Sequence, residues 1–259
     1  TGGMAGVYPE PAMMGAAPDE PDGTGDANGT GGPACSRTRD LVRREDRSPC
    51  YRQRMIGREH EIAAACAVLG GGRHLLLEGP VGCGKTTLAA EACRRLGRGV
   101  VRVDGDDRFT DSRLAGWFDP PLVLRLGYRE EAFVPGPLVR AMREGAVLFL
   151  NELNRLPEAA QNLLLPALDE GVVQVPHLGG VRAAEGFQVV ATQNPAEYVA
   201  TGHLSEAIRD RFEHLSLGYQ SAGEEEAIVT AATGCADRRL VRDAVRLTRA
   251  TRVHPLVRR

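Results

Sequence analysis

Long hydrophobic runs are missing from this 259-residue sequence. A transmembrane helix needs roughly 20 apolar residues in succession, and no stretch approaches that length. The N-terminal residues do not show the basic region followed by an apolar one that marks a signal peptide. With 42% hydrophobic and 25% charged residues, the composition is that of a soluble globular protein. We therefore predict a chain without a membrane span.

A charge excess and a cysteine framework are missing as well. The formal net charge of −2 and the pI near 6.3 give no electrostatic signature of specific binding to nucleic acid or to an anionic membrane. The cysteines lack C-x-x-C spacing, which argues against a zinc site and a disulfide framework and favours a reducing, cytoplasmic location. The six cysteines are Cys35, Cys50, Cys66, Cys83, Cys93 and Cys235.

Lysine is nearly absent. Of the 32 basic residues, 31 are arginine and one is Lys85. A general preference for arginine is typical of genome base composition and says little about function. A single retained lysine, in contrast, marks a position that requires a compact ammonium group rather than a planar guanidinium.

The chain divides by composition into three parts. Residues 1–53 form a tail rich in Gly, Pro and Asp with an Arg-rich linker, and such a segment cannot bury enough apolar surface to offset its ordering entropy. We predict that it is disordered. Residues 54–220 alternate short apolar runs with helical patterns, and residues 221–259 contain an amphipathic helical pattern that predicts a small partial lid.

The apolar runs of the middle part predict a parallel sheet. Nearly continuous apolar strands separated by helices are typical of a sheet covered on both faces, so we predict a three-layer α/β/α domain with a central parallel sheet. The predicted strands are 74–79, 100–105, 146–151, 187–194 and 214–219, and the predicted helices are 85–96, 136–144, 157–170, 204–211 and 223–233.

Two segments interrupt this pattern. Pro166 lies inside the helical stretch “QNLLLPALDEG”, where it predicts a kink or a break. Residues 110–135 are typical of an inserted hairpin or loop and contain the single tryptophan, Trp117. We interpret Trp117 as a buried anchor, with a contact to a partner as the alternative.

The stretch “GPVGCGKT”, residues 79–86, has the form G-x-x-x-x-G-K-[ST]. It follows an apolar strand and opens a helix, the context in which this motif binds phosphates. Its glycines let backbone N–H groups and the helix N-terminus face phosphate oxygens. Lys85 is expected to reach the β- and γ-phosphates, and Thr86 to offer its hydroxyl to Mg²⁺.

The stretch “LFLNELNR”, residues 148–155, ends an apolar strand in Asn151 and Glu152. Glu152 can orient or deprotonate an attacking water. Asn151 stands where an aspartate is usual for a magnesium site. It retains an acceptor oxygen for a metal-bound water but carries no charge, and Mg²⁺ binds largely through phosphates and water. The pattern predicts a competent site with weakened magnesium binding.

Polar residues follow the next strand. In “ATQNP” Asn194 is placed to hold the nucleophilic water or to sense the γ-phosphate. The helix “LSEAIRDRFE” supplies Arg209 and Arg211. An arginine delivered by a neighbouring subunit stabilises the charge of phosphoryl transfer, and we expect one of these two to act in this way.

Taken together, “IGREHEI”, “GPVGCGKT”, “FVPGPLVRAMREGAVLFLNELNR”, “ATQNP” and “LSEAIRDRFE” resemble the AAA+ ATPases, and within them the MoxR-like family. The resemblance covers roughly residues 54–259. The sequence is also similar to magnesium-chelatase ATPase subunits and to the AAA+ activators of nitric oxide reductase and rubisco. It implies a P-loop NTPase fold of the AAA+ type.

The resemblance assigns roles to individual positions. It implies ATP and Mg²⁺ as ligands, Ile56 and Gly57 beside the adenine, Glu152 as catalytic carboxylate and Asn194 as the sensor-1 residue. Arg211 would be the arginine finger, with Arg209 as the second choice. The residues implied around the phosphates are Gly79, Pro80, Val81, Gly82, Cys83, Gly84, Lys85, Thr86 and Thr87.

The resemblance also implies partners. Its members form hexameric rings with the site between neighbours, act with von Willebrand factor A-domain proteins and mature metalloenzyme complexes. A slowly hydrolysing, nucleotide-gated binding module is an alternative because of Asn151. A DNA-directed motor is disfavoured by the acidic pI. The C-terminal pattern stops before the family's sensor-2 helix, which predicts a truncated lid in which Arg258 and Arg259 lie too early for that role.

Overall fold

The computed structural model describes residues 55–194 and 204–254. All of them belong to one compact unit, residues 46–259. The predicted disordered tail and the two C-terminal arginines lie outside the described residues. No helix in the described part combines the length and apolarity needed to cross a bilayer.

A five-stranded sheet forms the centre of the molecule. Every pairing in it is parallel, and the strand order is β2-β5-β8-β1-β9. Four strands lie within one residue of their predicted bounds, whereas the fifth begins two residues and ends three residues earlier than predicted. The strands are β1 (His74–Glu78), β2 (Val100–Asp104), β5 (Val147–Asn151), β8 (Gln188–Gln193) and β9 (Phe212–Ser216).

Helices cover both faces of this sheet and extend beyond it at the C-terminus. The helices are α1 (Glu59–Gly70), α2 (Lys85–Arg95), α3 (Asp111–Ala115), α4 (Pro120–Leu126), α5 (Pro137–Glu144), α6 (Glu158–Asp169), α7 (Glu206–Arg209), α8 (Ala222–Thr233) and α9 (Arg238–Val253). The prediction of an α/β/α fold with a central parallel sheet and a following helical part is confirmed.

Alternation along each strand divides the core in two. Leu75 and Leu77 of β1 pack with α1 and α2 on one face, whereas Leu76 packs with α5 and α6 on the other. Side chains of successive strand residues point to opposite faces, so a strand buried on both faces must be apolar at nearly every position. This explains why the central strands were visible in the sequence.

The segment after β2 contains more structure than the hairpin or loop predicted for it. Strands β3 (Gly116–Phe118) and β4 (Phe133–Pro135) pair antiparallel, with α4 and a 3₁₀ turn between them. Trp117 is 49% exposed, so its interpretation as a buried anchor was wrong. A second antiparallel pair, β6 (Val172–Val175) and β7 (Gly179–Arg182), follows α6 and was not predicted.

Pro166 does not break its helix. Helix α6 continues to Asp169, and the Pro166 carbonyl accepts a hydrogen bond from Glu170 N at 3.0 Å. Proline removes the donor of one i→i−4 bond, but buried Leu164 and Leu168 hold this last turn against the core. Packing therefore overrides the local preference, and the predicted break was wrong.

A buried carboxylate of α2, Glu91, holds the arginine that links this helix to α1. Glu91 is 6% exposed at its side chain and accepts hydrogen bonds from Arg94 at 2.7 Å and from Arg95 at 3.0 Å. Arg95 also donates to Glu59 of α1. The hydrogen bonds from Arg94, opposed by burial and reinforced by Arg95, lower the pKa of Glu91 to about 2.

We expect Glu91→Gln to lower the free energy of unfolding at pH 7 by about 1–2 kcal/mol. Because the pKa of Glu91 is depressed in the folded state, its contribution is complete above the unfolded value near ~4.3 and is lost as the pH falls toward 2. Urea unfolding should therefore show the difference from wild type narrowing between pH 5 and pH 2. The exposed Glu144→Gln serves as control; equal stability of both variants at pH 7 would contradict the prediction.

Candidate functional site

The phosphate loop, residues 79–87, connects β1 to α2 through glycines. Gly82 and Gly84 have φ values of 79° and 94°, which side-chain-bearing residues rarely adopt. At Gly79 a Cβ atom would come within 2.3 Å of the Leu217 carbonyl oxygen. The chain therefore needs glycine at these positions, and the resulting curl leaves the N-terminus of α2 facing the loop.

Lys85 is held inside this loop. It is 8% exposed, and its Nζ donates to the carbonyl oxygens of Gly79 at 2.7 Å and Pro80 at 2.9 Å and to Asn194 Oδ1 at 2.8 Å. Burial lowers the pKa of Lys85, and the nearby Cys83 and Glu152 oppose that shift. The side chain is therefore preorganised at the loop rather than extended into solvent.

Glu152 is joined to Lys85 through Asn194. Asn194 Nδ2 donates to Glu152 Oε1 at 3.3 Å, while its Oδ1 accepts from Lys85. Glu152 Oε2 accepts from Arg155 at 3.0 Å. Glu152 has φ 57°, a left-handed conformation uncommon for this residue type. Such strain is often kept at functional sites, and here its backbone N–H is fixed by Thr192 Oγ1 at 2.9 Å.

Asn151 connects three side chains at the end of β5. Its Oδ1 accepts from Thr86 Oγ1 at 3.3 Å and from the fully buried Thr192 Oγ1 at 3.0 Å. Its Nδ2 donates to Asp104 Oδ1 at 2.9 Å. The sequence placed Thr86 and Asn151 at one magnesium position, and the structure brings them together.

Asp104, Thr192 and Arg155 were missed as site residues in the sequence. Asp104 and Thr192 lie at or near the carboxyl ends of β2 and β8, the edge at which ligands bind in parallel sheets. Their strand-end positions were the available signal. For Asp104, burial raises the pKa, but hydrogen bonds from Arg102 and Asn151 outweigh it, so the pKa lies below the ordinary value.

A cleft of about 660 Å³ opens beside the phosphate loop. It lies between the segment before α1 and the C-terminal helix α8, and Gln220 Nε2 donates to the Ile56 carbonyl at 2.7 Å across it. Its lining residues are Met55, Ile56, Gly82, Cys83, Gly84, Thr87, Gln220, Ile228 and Ala231. Gly57 packs instead against Glu224, whose Oε1 would lie 2.4 Å from a Cβ at that position.

Two further loop residues contact the surrounding chain. Pro80 contributes the carbonyl that accepts from Lys85. Val81 is exposed, and its carbonyl oxygen accepts a hydrogen bond from the phenolic Oη–H of Tyr219 at 3.1 Å. The carbonyl oxygens of both residues thus connect the phosphate loop to neighbouring side chains.

Arg209 and Arg211 are not brought to this site within one protomer. Arg211 immediately precedes β9, so it lies at the amino-terminal edge of the sheet, opposite the phosphate loop. Its guanidinium donates to Asp169 at 2.6 Å and to the Ala207 carbonyl. Arg209 ends α7 nearby and is exposed. Either arginine could reach a phosphate loop only in a neighbouring protomer.

The residues present fit a nucleotide and its metal. A buried ammonium, a glycine-lined loop and a helix N-terminus suit phosphate oxygens. Among the described residues, no group of three or more His, Cys, Asp or Glu side chains is placed to bind a metal ion. Magnesium at the Thr86–Asn151 pair would thus depend largely on the phosphates and water, as this ion commonly does.

Comparison with known proteins identifies a family and several relatives of this chain. A family profile described as “AAA domain (dynein-related subfamily)” matches residues 74–212, more than half of the chain. The chain is 34% identical to the gas vesicle ATPase GvpN2 of Halobacterium salinarum over 181 residues, 64% of this chain and 53% of that protein. It is 31% identical to protein NorQ of Paracoccus denitrificans over 176 residues, 67% and 63% of the two chains. The chain thus spans between half and two thirds of these curated relatives' length.

A solved structure has the same fold. It is a protein from Cytophaga hutchinsonii, similar to this chain with a TM-score of 0.55 and 22% sequence identity. The similarity covers 80% of this chain and 66% of that one. At this identity the likeness concerns the fold alone.

Proposed function

Since the chain belongs to the AAA+ ATPases of the MoxR-like type, within the dynein-related AAA subfamily, we propose that it binds and hydrolyses ATP. One observation carries the proposal. Lys85 of the phosphate loop, Asn194 and Glu152 form a continuous hydrogen-bonded chain, which joins the group suited to the phosphates to the group suited to the attacking water.

Binding would use the loop and the cleft beside it. The N–H groups of the loop and the Lys85 ammonium take up the charge of the β- and γ-phosphates. The base fits the cleft lined by Ile56 and Ile228. Thr86 and Asn151 would hold Mg²⁺, partly through water, and the bound ion would neutralise charge on the phosphate oxygens.

Hydrolysis would proceed by in-line attack of water on the γ-phosphorus. Glu152 accepts a proton from the water as the new P–O bond forms. The bond between the γ-phosphorus and the bridging oxygen breaks, leaving ADP and inorganic phosphate. Asn194, fixed between Lys85 and Glu152, is placed to hold the water on that line.

A slowly hydrolysing, nucleotide-gated binding module is the second candidate. It is favoured by the ion pair between Glu152 and Arg155 at 3.0 Å, since a carboxylate oxygen that already accepts from a guanidinium is less free to accept from an attacking water. The uncharged Asn151 acts in the same direction. In this alternative ATP controls assembly, and turnover begins only when Arg155 is drawn away.

The arginine positions support assembly into a ring. Arg211 and Arg209 lie at the edge of the sheet opposite the phosphate loop, so a head-to-tail contact would carry one of them to the site of a neighbour. We propose a closed homo-oligomer, a hexamer by family resemblance, that remodels partner proteins in the cytoplasm.

The proposed clients are protein assemblies. The relative GvpN2 is named a gas vesicle ATPase, and the MoxR-like family resemblance implies metalloenzyme complexes and a von Willebrand factor A-domain partner. We therefore propose maturation of a multi-subunit protein complex as the role of hydrolysis, rather than movement on DNA.

Magnesium-dependent phosphate release by mixed variants tests this function. Arg211→Ala retains an intact phosphate loop but lacks the proposed finger, and Glu152→Gln retains the finger. We expect each alone to release phosphate at least about a hundredfold more slowly than wild type. Their mixture should recover part of the rate, because mixed rings contain complete sites.

The same mixture with Arg209→Ala identifies the finger. If the mixture of Glu152→Gln with Arg209→Ala recovered phosphate release and the mixture with Arg211→Ala did not, Arg209 would be the finger. Absence of phosphate release by the wild-type chain at saturating ATP and magnesium would contradict hydrolysis and favour the gated binding module.

A further inference from the structure

A carboxylate of the edge strand β2 touches the magnesium position. Asp104 and Asn151 are register partners at the carboxyl ends of β2 and β5, and Asn151 Nδ2 donates to Asp104 Oδ1 at 2.9 Å. An ionised carboxylate only accepts hydrogen bonds, so it fixes the nitrogen end of the amide. The oxygen end must then face Thr86 and Thr192, whose hydroxyls donate to it.

We propose that Asp104 is the carboxylate of this magnesium site: it orients Asn151 with its oxygen toward Thr86 and supplies the negative charge that Asn151 lacks. The charge is thus moved one strand along the sheet. This inference rests on the proposed function, because it concerns magnesium bound together with a nucleotide.

Two physical effects make Asp104 effective from this distance. The attraction between unit charges falls with the first power of their separation, so a carboxylate behind the amide retains much of the pull of one in its place. A carboxylate hydrogen-bonded to a metal ligand also polarises that ligand. Removing such partners typically costs about 10–100-fold in metal affinity.

Arg102 is the competing cation. From the same face of β2 its Nε donates to both Asp104 oxygens at 3.1 Å and its Nη2 to Oδ1 at 2.7 Å, and the Asp104 side chain is 61% exposed. Ion pairs in contact with solvent are weak and screened. A divalent ion, whose charge is twice that of the guanidinium, would compete with Arg102 for this carboxylate.

The contact changes what Asn151→Asp should do. The sequence alone indicates that aspartate at this position strengthens magnesium binding. In the structure the new carboxylate would face Asp104 across a hydrogen-bond distance, where the donor to Asp104 is lost and two negative charges repel each other. Asn151→Asp should therefore raise the metal affinity only slightly while Asp104 is present. It should raise the affinity strongly in a chain that also carries Asp104→Asn.

The test measures Mn²⁺ binding by electron paramagnetic resonance to the complex with β,γ-imido-ATP, which needs no turnover. We expect Asp104→Asn to weaken Mn²⁺ binding by about tenfold or more. The charge-swapped double variant Asp104→Asn/Asn151→Asp should return within about threefold of wild type, because the two substitutions are coupled.

Glu213→Gln is the matched control. Glu213 is also a strand carboxylate paired with an arginine, Arg73, at 3.0 Å, but it lies on β9 at the opposite edge of the sheet. It should leave Mn²⁺ binding unchanged. The inference would be overturned if Asp104→Asn bound Mn²⁺ as tightly as wild type. It would also be overturned if Asn151→Asp raised the Mn²⁺ affinity equally with and without Asp104.

Nucleotide binding in EDTA distinguishes a failure of the inference about Asp104 from a failure of the proposed function. Wild type and Asp104→Asn should bind a fluorescent ATP analogue equally without metal, because the phosphate loop is untouched. Binding of nucleotide and Mn²⁺ without any effect of Asp104 would refute this inference and leave the proposed function standing. No nucleotide binding by wild type would remove the proposed function and this inference with it.

Discussion

Replacing Lys85 by alanine is expected to lower the affinity for ATP by at least about a hundredfold. The ammonium is nearly enclosed and already aimed into the loop by the carbonyls of Gly79 and Pro80. Its removal deletes the positive charge facing the phosphates and the hydrogen bond that Lys85 donates to Asn194 Oδ1. Isothermal titration with ATP and with ADP measures the loss.

Lys85→Arg should not restore binding. The planar guanidinium is larger than the ammonium and directs its donors in a fixed fork, which the three acceptors around Lys85 Nζ do not match. Arg246→Ala removes a cation from an exposed position of α9 and should bind ATP as wild type does. Unchanged ATP affinity in a folded Lys85→Ala protein would mean that nucleotide does not use this loop.

Glu152→Gln is expected to slow phosphate release by about 10²–10⁴-fold while ATP binding is retained. Glutamine keeps the size of the side chain, and its carbonyl oxygen can still accept from Asn194 or from Arg155, but it cannot take a proton from water at neutral pH. Rapid filtration with labelled ATP should therefore find unhydrolysed nucleotide retained on the protein.

The neighbouring carboxylate of Glu158 provides the control for this substitution. Glu158 begins α6 and is exposed, so Glu158→Gln removes the same charge without touching the candidate site. It should release phosphate at the wild-type rate. If Glu152→Gln also did so, another group would have to be the base, and the Lys85–Asn194–Glu152 linkage would lose its proposed meaning.

Much of the central fold was predictable because its strands are buried on both faces. Leu75, Leu76 and Leu77 belong to two different cores, and such strands are visible as continuous apolar runs. The pair β6–β7 was not visible, since it is short, rich in glycine and half exposed. Pro166 was misjudged for a related reason: a local preference was overridden by packing around Leu164.

The candidate site was predictable to the extent that it follows chain order. Lys85, Glu152 and Asn194 belong to motifs whose spacing is local, and the structure joins them. Asp104 belongs to no motif, and its contact with Asn151 spans 47 residues. It depends on β2 pairing with β5, a pairing that sequence order does not reveal. Residues within a motif could therefore be assigned to the site from the sequence. The contact between side chains of two paired strands could be found only once the strand order was known.

The enclosure of Lys85 also makes the chain a reporter of its own unfolding. In these 259 residues a lysine-specific protease has one cleavage site, the bond between Lys85 and Thr86. That bond lies at the start of α2, under a lysine side chain engaged in three hydrogen bonds. Proteolysis into two fragments thus counts the opened molecules directly, and a bound nucleotide that stabilises the loop lowers that count.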